Sequence, residues 1–140
     1  MRISNLRRTA MSFKRIYLAG PLTPRGTRPD CNGNPAIEYL YNVRDMLRTA
    51  HRLIADGYAV FIPGMDFPLF LVNNLTLEQI YKQGLAFLEV CDAVVVLPYD
   101  KEKSTGVLAE LSRARELSIP IFEGYKEFHD ATKTREPNAL

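Results

Sequence analysis

The residues most suited to chemistry in this chain of 140 are Ser104-Thr105-Gly106-Val107-Leu108-Ala109-Glu110. They follow the apolar run Asp92-Ala93-Val94-Val95-Val96-Leu97-Pro98 and open a periodic segment that ends near Leu117. A buried strand, a polar loop and a helix start put Glu110 early on that helix. Backbone N–H groups left free at a helix N-terminus attract anions, and Ser104, Thr105 and Gly106 are small enough to let a phosphate or sugar come close. The pattern predicts a ligand cradle with a carboxylate beside it. Glu110 falls at the border of the arc formed by Val107, Leu111 and Ala114, where desolvation raises a carboxylate's pKa.

The elements that must position this cradle alternate between strand and helix. Arg15-Ile16-Tyr17-Leu18-Ala19 is a short apolar run closed by Gly20-Pro21, and residues 22–33 form a loop rich in Pro, Gly, Arg and Asp. Asn34-Pro35 caps the longest helix, along which Leu40, Val43, Leu47, Ala50 and Ile54 recur until Gly57 stops the pattern. Tyr58 to Ile62 is a second strand, and Pro63 to Asn74 an irregular link. Thr76 and Gln79 form a capping box for a helix carrying Leu77, Ile80, Gly84 and Leu88 on one face. Asp92 to Pro98 is the central strand, Gly106 to Leu117 a third helix, and Ile119 to Phe122 a last strand. From Glu123 onward the sequence is polar and aperiodic.

Helices between apolar strands require crossover connections. The fold class expected is therefore α/β: a single-domain, doubly wound parallel sheet of about four to five strands in a flavodoxin- or Rossmann-like three-layer sandwich. Residues 1–13 are expected to form a flexible arm, 14–123 the domain and 124–140 a polar, partly disordered tail. Ligands of such sheets lie beyond the carboxyl ends of the strands. The loops after Ala19, Ile62 and Pro98 should converge there, with Tyr17, Arg25, Asp66, Ser104 and Glu110 on or near that edge.

Composition narrows the partners. Hydrophobic residues make up 46% of the chain, enough for one domain with a core. A formal net charge of +2 is too small and too scattered for a nucleic-acid surface or a polybasic membrane anchor, and no window reaches the length of a membrane span. Cys31 and Cys91 are the two cysteines, which fits a reduced, cytoplasmic setting. His51 and His129 have no metal-ligand spacing with them, so no metal is assigned. The apolar stretch Phe67-Pro68-Leu69-Phe70-Leu71-Val72 suits an interface between copies, and a homo-oligomer is expected.

Three segments together resemble the nucleoside 2-deoxyribosyltransferase family and its hydrolytic relatives, the nucleoside 5′-monophosphate N-glycosidases. They are Ile16 to Pro21, Cys91 to Pro98, and Ser104-x-Gly106-x-x-x-Glu110-x-x-x-Ala114 followed by Ile119 to Phe122. The similarity spans roughly residues 14 to 123. It implies that Glu110 is the nucleophile attacking the anomeric carbon of a nucleoside or nucleotide, releasing the base and leaving a glycosyl-enzyme for water or a second base to resolve. Tyr17 would help place that glutamate and the sugar. Ser104 and Arg25, with the loop glycines near Gly20, match the branch that holds a 5′-phosphate. Gly20, Pro21, Arg25, Asp92, Ser104, Thr105 and Gly106 are thus the expected substrate or phosphate contacts, and no cofactor is implied.

One position departs from the family. An aspartate there that assists proton traffic at the base is Gly84 here. An N-glycosidic bond breaks through an oxocarbenium-like transition state, and the base leaves poorly unless protonated. Asp66 is the candidate substitute. Asp92 has a second reading, that it accepts backbone hydrogen bonds where the central strand opens. Plainer roles stand beside the others: Glu110 as a solvated acid near a helix start, Tyr17 as a strand tyrosine, Ser104 and Thr105 as a helix cap, Arg25 as a solvated loop residue. An enzyme, a nucleotide-binding module that lost turnover with the acid, and a flavodoxin-like interaction domain are the three function classes these readings leave.

Overall fold

The computed structural model describes residues 13–26, 28–98 and 104–133. Strand β1 is Arg15–Ala19, helix α1 Pro35–Ala55, β2 Ala59–Phe61, α2 Leu77–Glu89, β3 Ala93–Val96, α3 Thr105–Glu116, β4 Ile121–Glu123 and α4 Gly124–Lys133. The four strands form one parallel sheet in the order β2-β1-β3-β4. Ile16 stands beside Val60 on one side and Ala93 on the other, and Val94 beside Ile121. The doubly wound α/β fold read from the sequence is the fold observed.

Alternation along β1 divides the core in two, because successive strand side chains point to opposite faces. Ile16 and Leu18 join Met46, Ala50, Leu53, Val95 and Phe128 beneath α1 and α4. Tyr17 and Ala19 join Leu88, Val94, Val96, Val107, Leu111 and Ala114 beneath α2 and α3. This period of two puts the Tyr17 side chain on the same face as the helix that carries Glu110.

Local signals fix the helix starts. Asn34 Oδ1 accepts from the N–H groups of Ala36 and Ile37, and Pro35 fills the first position of α1, where no donor is needed. Thr76 and Gln79 form the reciprocal capping box of α2. Ser104 Oγ accepts from Val107 N–H at 3.3 Å and opens α3.

Three expectations change. Helix α1 buries Val43, Met46, Ala50 and Leu53, whereas Leu40, Leu47 and Ile54 are exposed. Its sequence is apolar on more than one face, and the sheet takes the face through Met46 and Leu53. The link after β2 is largely a 3-10 helix, Pro63–Leu71. The expected arm and tail both reach into the fold. Phe13 is buried, and α4 occupies most of the segment assigned to the tail, with Phe128 only 1% exposed. Phe128 packs edge-on against Tyr58 and Phe122, with ring centroids 5.1 and 5.3 Å away. Two apolar residues a helical span apart, Tyr125 and Phe128, were enough to seat a segment that is polar elsewhere. Residues 1–12 and 134–140, the rest of the expected arm and tail, lie outside the described residues.

Among the described residues no helix is long and apolar enough to cross a membrane. None of their His, Cys, Asp and Glu side chains gather in threes as a metal site would require.

Candidate active site

The strand order reverses between β1 and β3, and an open parallel sheet has its crevice at that point. On the α2 and α3 side of this crevice lies a cavity of about 260 Å³. Tyr17 comes from β1, Leu22 from the loop after it, Pro63 and Asp66 from the 3-10 segment after β2. Helix α2 contributes Ile80, Tyr81, Gly84 and Leu85, and the first turns of α3 contribute Thr105, Gly106, Ala109 and Glu110. Two carboxylates and two tyrosines therefore converge in an otherwise apolar lining.

Glu110 is the most perturbed acid there. Burial pushes its pKa up to about 8, while the neighbouring Tyr17 hydroxyl, a donor toward the carboxylate, pulls the other way. One oxygen, Oε2, is buried with no hydrogen-bond partner. Burial, with the negative charge of Glu110 next in weight, holds the Tyr17 phenol far above its ordinary range, so it remains a donor at every working pH. The Tyr17 ring is fixed by stacking on Phe61, which stacks in turn on Phe87, at centroid distances of 5.3 and 4.4 Å. Burial also raises the Asp66 pKa, against a hydrogen bond from Gln83 Nε2 to Oδ1 at 3.3 Å.

Gly84 faces the Tyr17 hydroxyl: a Cβ built on it would lie 3.1 Å from that oxygen. Absence of a side chain at 84 is thus tied to the position of Tyr17. Gly106 looks across at Tyr81, its nearest atom 3.8 Å from an added Cβ.

The other expected contacts lie elsewhere. Asp92 sits at the opposite, amino edge of the sheet, where Oδ2 accepts from the N–H groups of Lys14 and Arg15 at 2.8 and 2.9 Å. Its second reading holds, since a residue that opens a parallel strand cannot reach the carboxyl end. Ser104 is buried and its Oγ caps α3. Gly20 permits a close approach of chain segments, because a Cβ there would meet Leu97 Cδ1 at 2.6 Å. Pro21 lines a wider groove on the far face of the sheet, along α1, of about 730 Å³. That groove is rimmed by Arg44, Arg48 and Arg52 and holds no pair of acids. Arg25 is exposed and outside the cavity lining.

Its loop neighbour Arg28 is the anchored one. Arg28 reaches Asp45 at 2.6 Å and Asp30 at 3.2 Å and lies over the Tyr41 ring, while Gly26 N–H donates to the buried Glu38 carboxylate. These bonds tie the loop after β1 to α1. Sequence reading missed Tyr81 and Gln83. Tyr81 stands three residues before Gly84, a spacing that puts both on one helix face and was the available signal.

A family model described as Domain of unknown function (DUF4406) matches residues 14–123. No curated protein matches the chain. Among solved structures, a 2-desoxiribosyltransferase from Leishmania mexicana is similar at a TM-score of 0.48 and 24% identity, over 79% of this chain and 63% of that one. The chain spans less than two thirds of that protein's length.

Proposed function

The chain belongs to this family of unknown function, and from the chemistry of its cavity we propose that it cleaves or transfers the N-glycosidic bond of a (deoxy)nucleoside or nucleoside 5′-monophosphate, with Glu110 as nucleophile. The observation that carries this reading is the buried Glu110 carboxylate, with an unpartnered oxygen, beside the Tyr17 hydroxyl in a cavity lined by aromatic and apolar groups. At about 260 Å³ the cavity falls just below the usual range of ligand sites, which begins at about 300 Å³.

In the proposed reaction a Glu110 oxygen forms a bond to the anomeric carbon as the carbon–nitrogen bond breaks. The Tyr17 hydroxyl orients the carboxylate and yields its hydrogen bond as Glu110 loses its negative charge in forming the neutral glycosyl ester, the bonding pair of the carbon–nitrogen bond leaving with the base. Asp66, whose pKa is raised by burial, is the group available to exchange a proton with the base. The N–H groups of the first turn of α3, at Thr105 and Gly106, favour a sugar oxygen or a 5′-phosphate. Water or a second base then displaces Glu110. The exposed side chains of Leu71 and Val72, at 84% and 90% exposure, support association of copies through this loop.

A second reading is favoured by Gly84: a binding module that kept the cavity and lost turnover. Chromatography for free base separates the two. The purified protein and its Glu110→Gln variant are incubated with pooled nucleosides and nucleoside 5′-monophosphates. Release by the wild type alone supports the glycosidase reading. Ligand-induced stabilisation without release from either protein assigns the binding module instead.

A further inference from the structure

The polar atoms of the cavity are unevenly signed. Asp66 and Glu110 are its ionisable acids, and the described lining contains no Lys, Arg or His. Tyr17 and Tyr81 add aromatic rings, whose faces attract cations. The remaining wall, including Leu22, Ile80 and Leu85, is apolar, so a charge brought in is poorly screened by water. Position 84, on the cavity wall facing the Tyr17 hydroxyl, is a glycine and supplies no acid. A neutral base needs a proton to leave; a base joined to the sugar through a quaternised ring nitrogen does not.

We propose that the preferred substrate is an N-glycoside with a positively charged base, which Asp66 binds as counter-ion and Glu110 displaces without a proton donor. The inference rests on the glycosidic reading above and narrows its substrate class. A Glu110 oxygen bonds to the anomeric carbon, and the carbon–nitrogen bonding pair returns to the ring nitrogen, cancelling its positive charge. The base departs neutral. Water then attacks the anomeric carbon, the ester pair returns to the Glu110 carboxylate, and the proton of that water passes through Asp66 to solvent. The sum is cationic glycoside plus water giving free sugar, neutral base and one proton. The amino end of α3 at Thr105 and Gly106 serves the sugar end of the ligand, away from the charge that Asp66 meets.

The test compares two probes of equal size: the carbocyclic analogue of N-ribosyl nicotinamide, a permanent pyridinium cation with no labile glycosidic bond, and its uncharged 1,4-dihydro form. Calorimetric titration of the wild type should give binding about tenfold tighter for the cation. Asp66→Asn should bring the ratio of the two dissociation constants close to one, with Asp66→Ser as the second variant if the first does not fold. Equal or weaker binding of the cation by the wild type overturns the inference. Glu110-dependent release of base from neutral nucleosides, alongside that result, would leave the glycosidic reading standing and only the charge preference lost. Absence of Glu110-dependent release from any glycoside, cationic N-ribosyl nicotinamide included, would remove both.

Discussion

The Tyr17 hydroxyl and the α-carbon of Gly84 face each other so closely that a single methyl on the glycine would stand 3.1 Å from the oxygen. The Tyr17 ring cannot swing freely away, because it is stacked on Phe61. A few tenths of an ångström must therefore be absorbed at the hydroxyl, where it meets the Glu110 carboxylate. Gly84→Ala is expected to lower base release about tenfold or more. Thermal unfolding should change little, since the gain in helix propensity of about 1 kcal/mol offsets the contact. Unchanged release with an unchanged melting temperature would show that Tyr17 does not position Glu110.

Acidity gives a second prediction. The Glu110 pKa is near 8 in the folded protein against an ordinary value of 4.5. Between those limits the folded state holds more protons than the unfolded one, so this group makes stability fall as pH rises through the window and level off above it. Glu110→Gln should flatten that slope and make the protein more stable than wild type at pH 9. Because the nucleophile must be ionised, kcat/KM for base release should climb with pH and reach a plateau above about 8. A rate already flat at pH 6 would contradict the burial assigned to Glu110.

Asp92 offers the contrast. Removing its carboxylate leaves the N–H groups of Lys14 and Arg15 without their acceptor. Asp92→Ala should cost about 1–3 kcal/mol in urea denaturation. Activity per folded molecule should stay at the wild-type level, because the residue lies at the far edge of the sheet from the cavity.

Helix α4 begins beyond the family-matched region, which ends at residue 123, yet it supplies Phe128 to the core. Phe128→Ala should destabilise the protein by about 3–5 kcal/mol. A chain ending at Glu123 should unfold at a lower urea concentration still, as it would also expose Tyr58 and Phe122. A truncated chain as stable as the full one would remove α4 from the folding unit.

How much of this could be read from residues alone follows from the range of the forces involved. The four strands, the caps at Asn34, Thr76 and Ser104, and the convergence of Tyr17, Asp66 and Glu110 depend on local pattern and on the topology that parallel strands impose. They were legible. The buried face of α1 was not, because Leu40 and Met46 are equally apolar and only the sheet decides between them. Arg25 and Arg28 look alike in a loop, and the Asp45 carboxylate that ties Arg28 to α1 comes from a position whose proximity needs the third dimension. Asp92 precedes a strand whose far end borders the crevice, a difference of one strand length that sequence order alone does not express. For α4, six polar residues among ten conceal a helix that is seated by Tyr125 and Phe128.

The two outer strands, Ala59–Phe61 and Ile121–Glu123, are three residues long. So short an edge offers few free N–H and C=O groups to a strand from another molecule, and β4 turns directly into α4 at Gly124, whose φ is +85°. Growth of the sheet from copy to copy is thereby discouraged at both margins. Self-association of this protein, where it occurs, must run through side chains on its helices and loops, and should be reversible by mild detergent and insensitive to backbone-capping peptides.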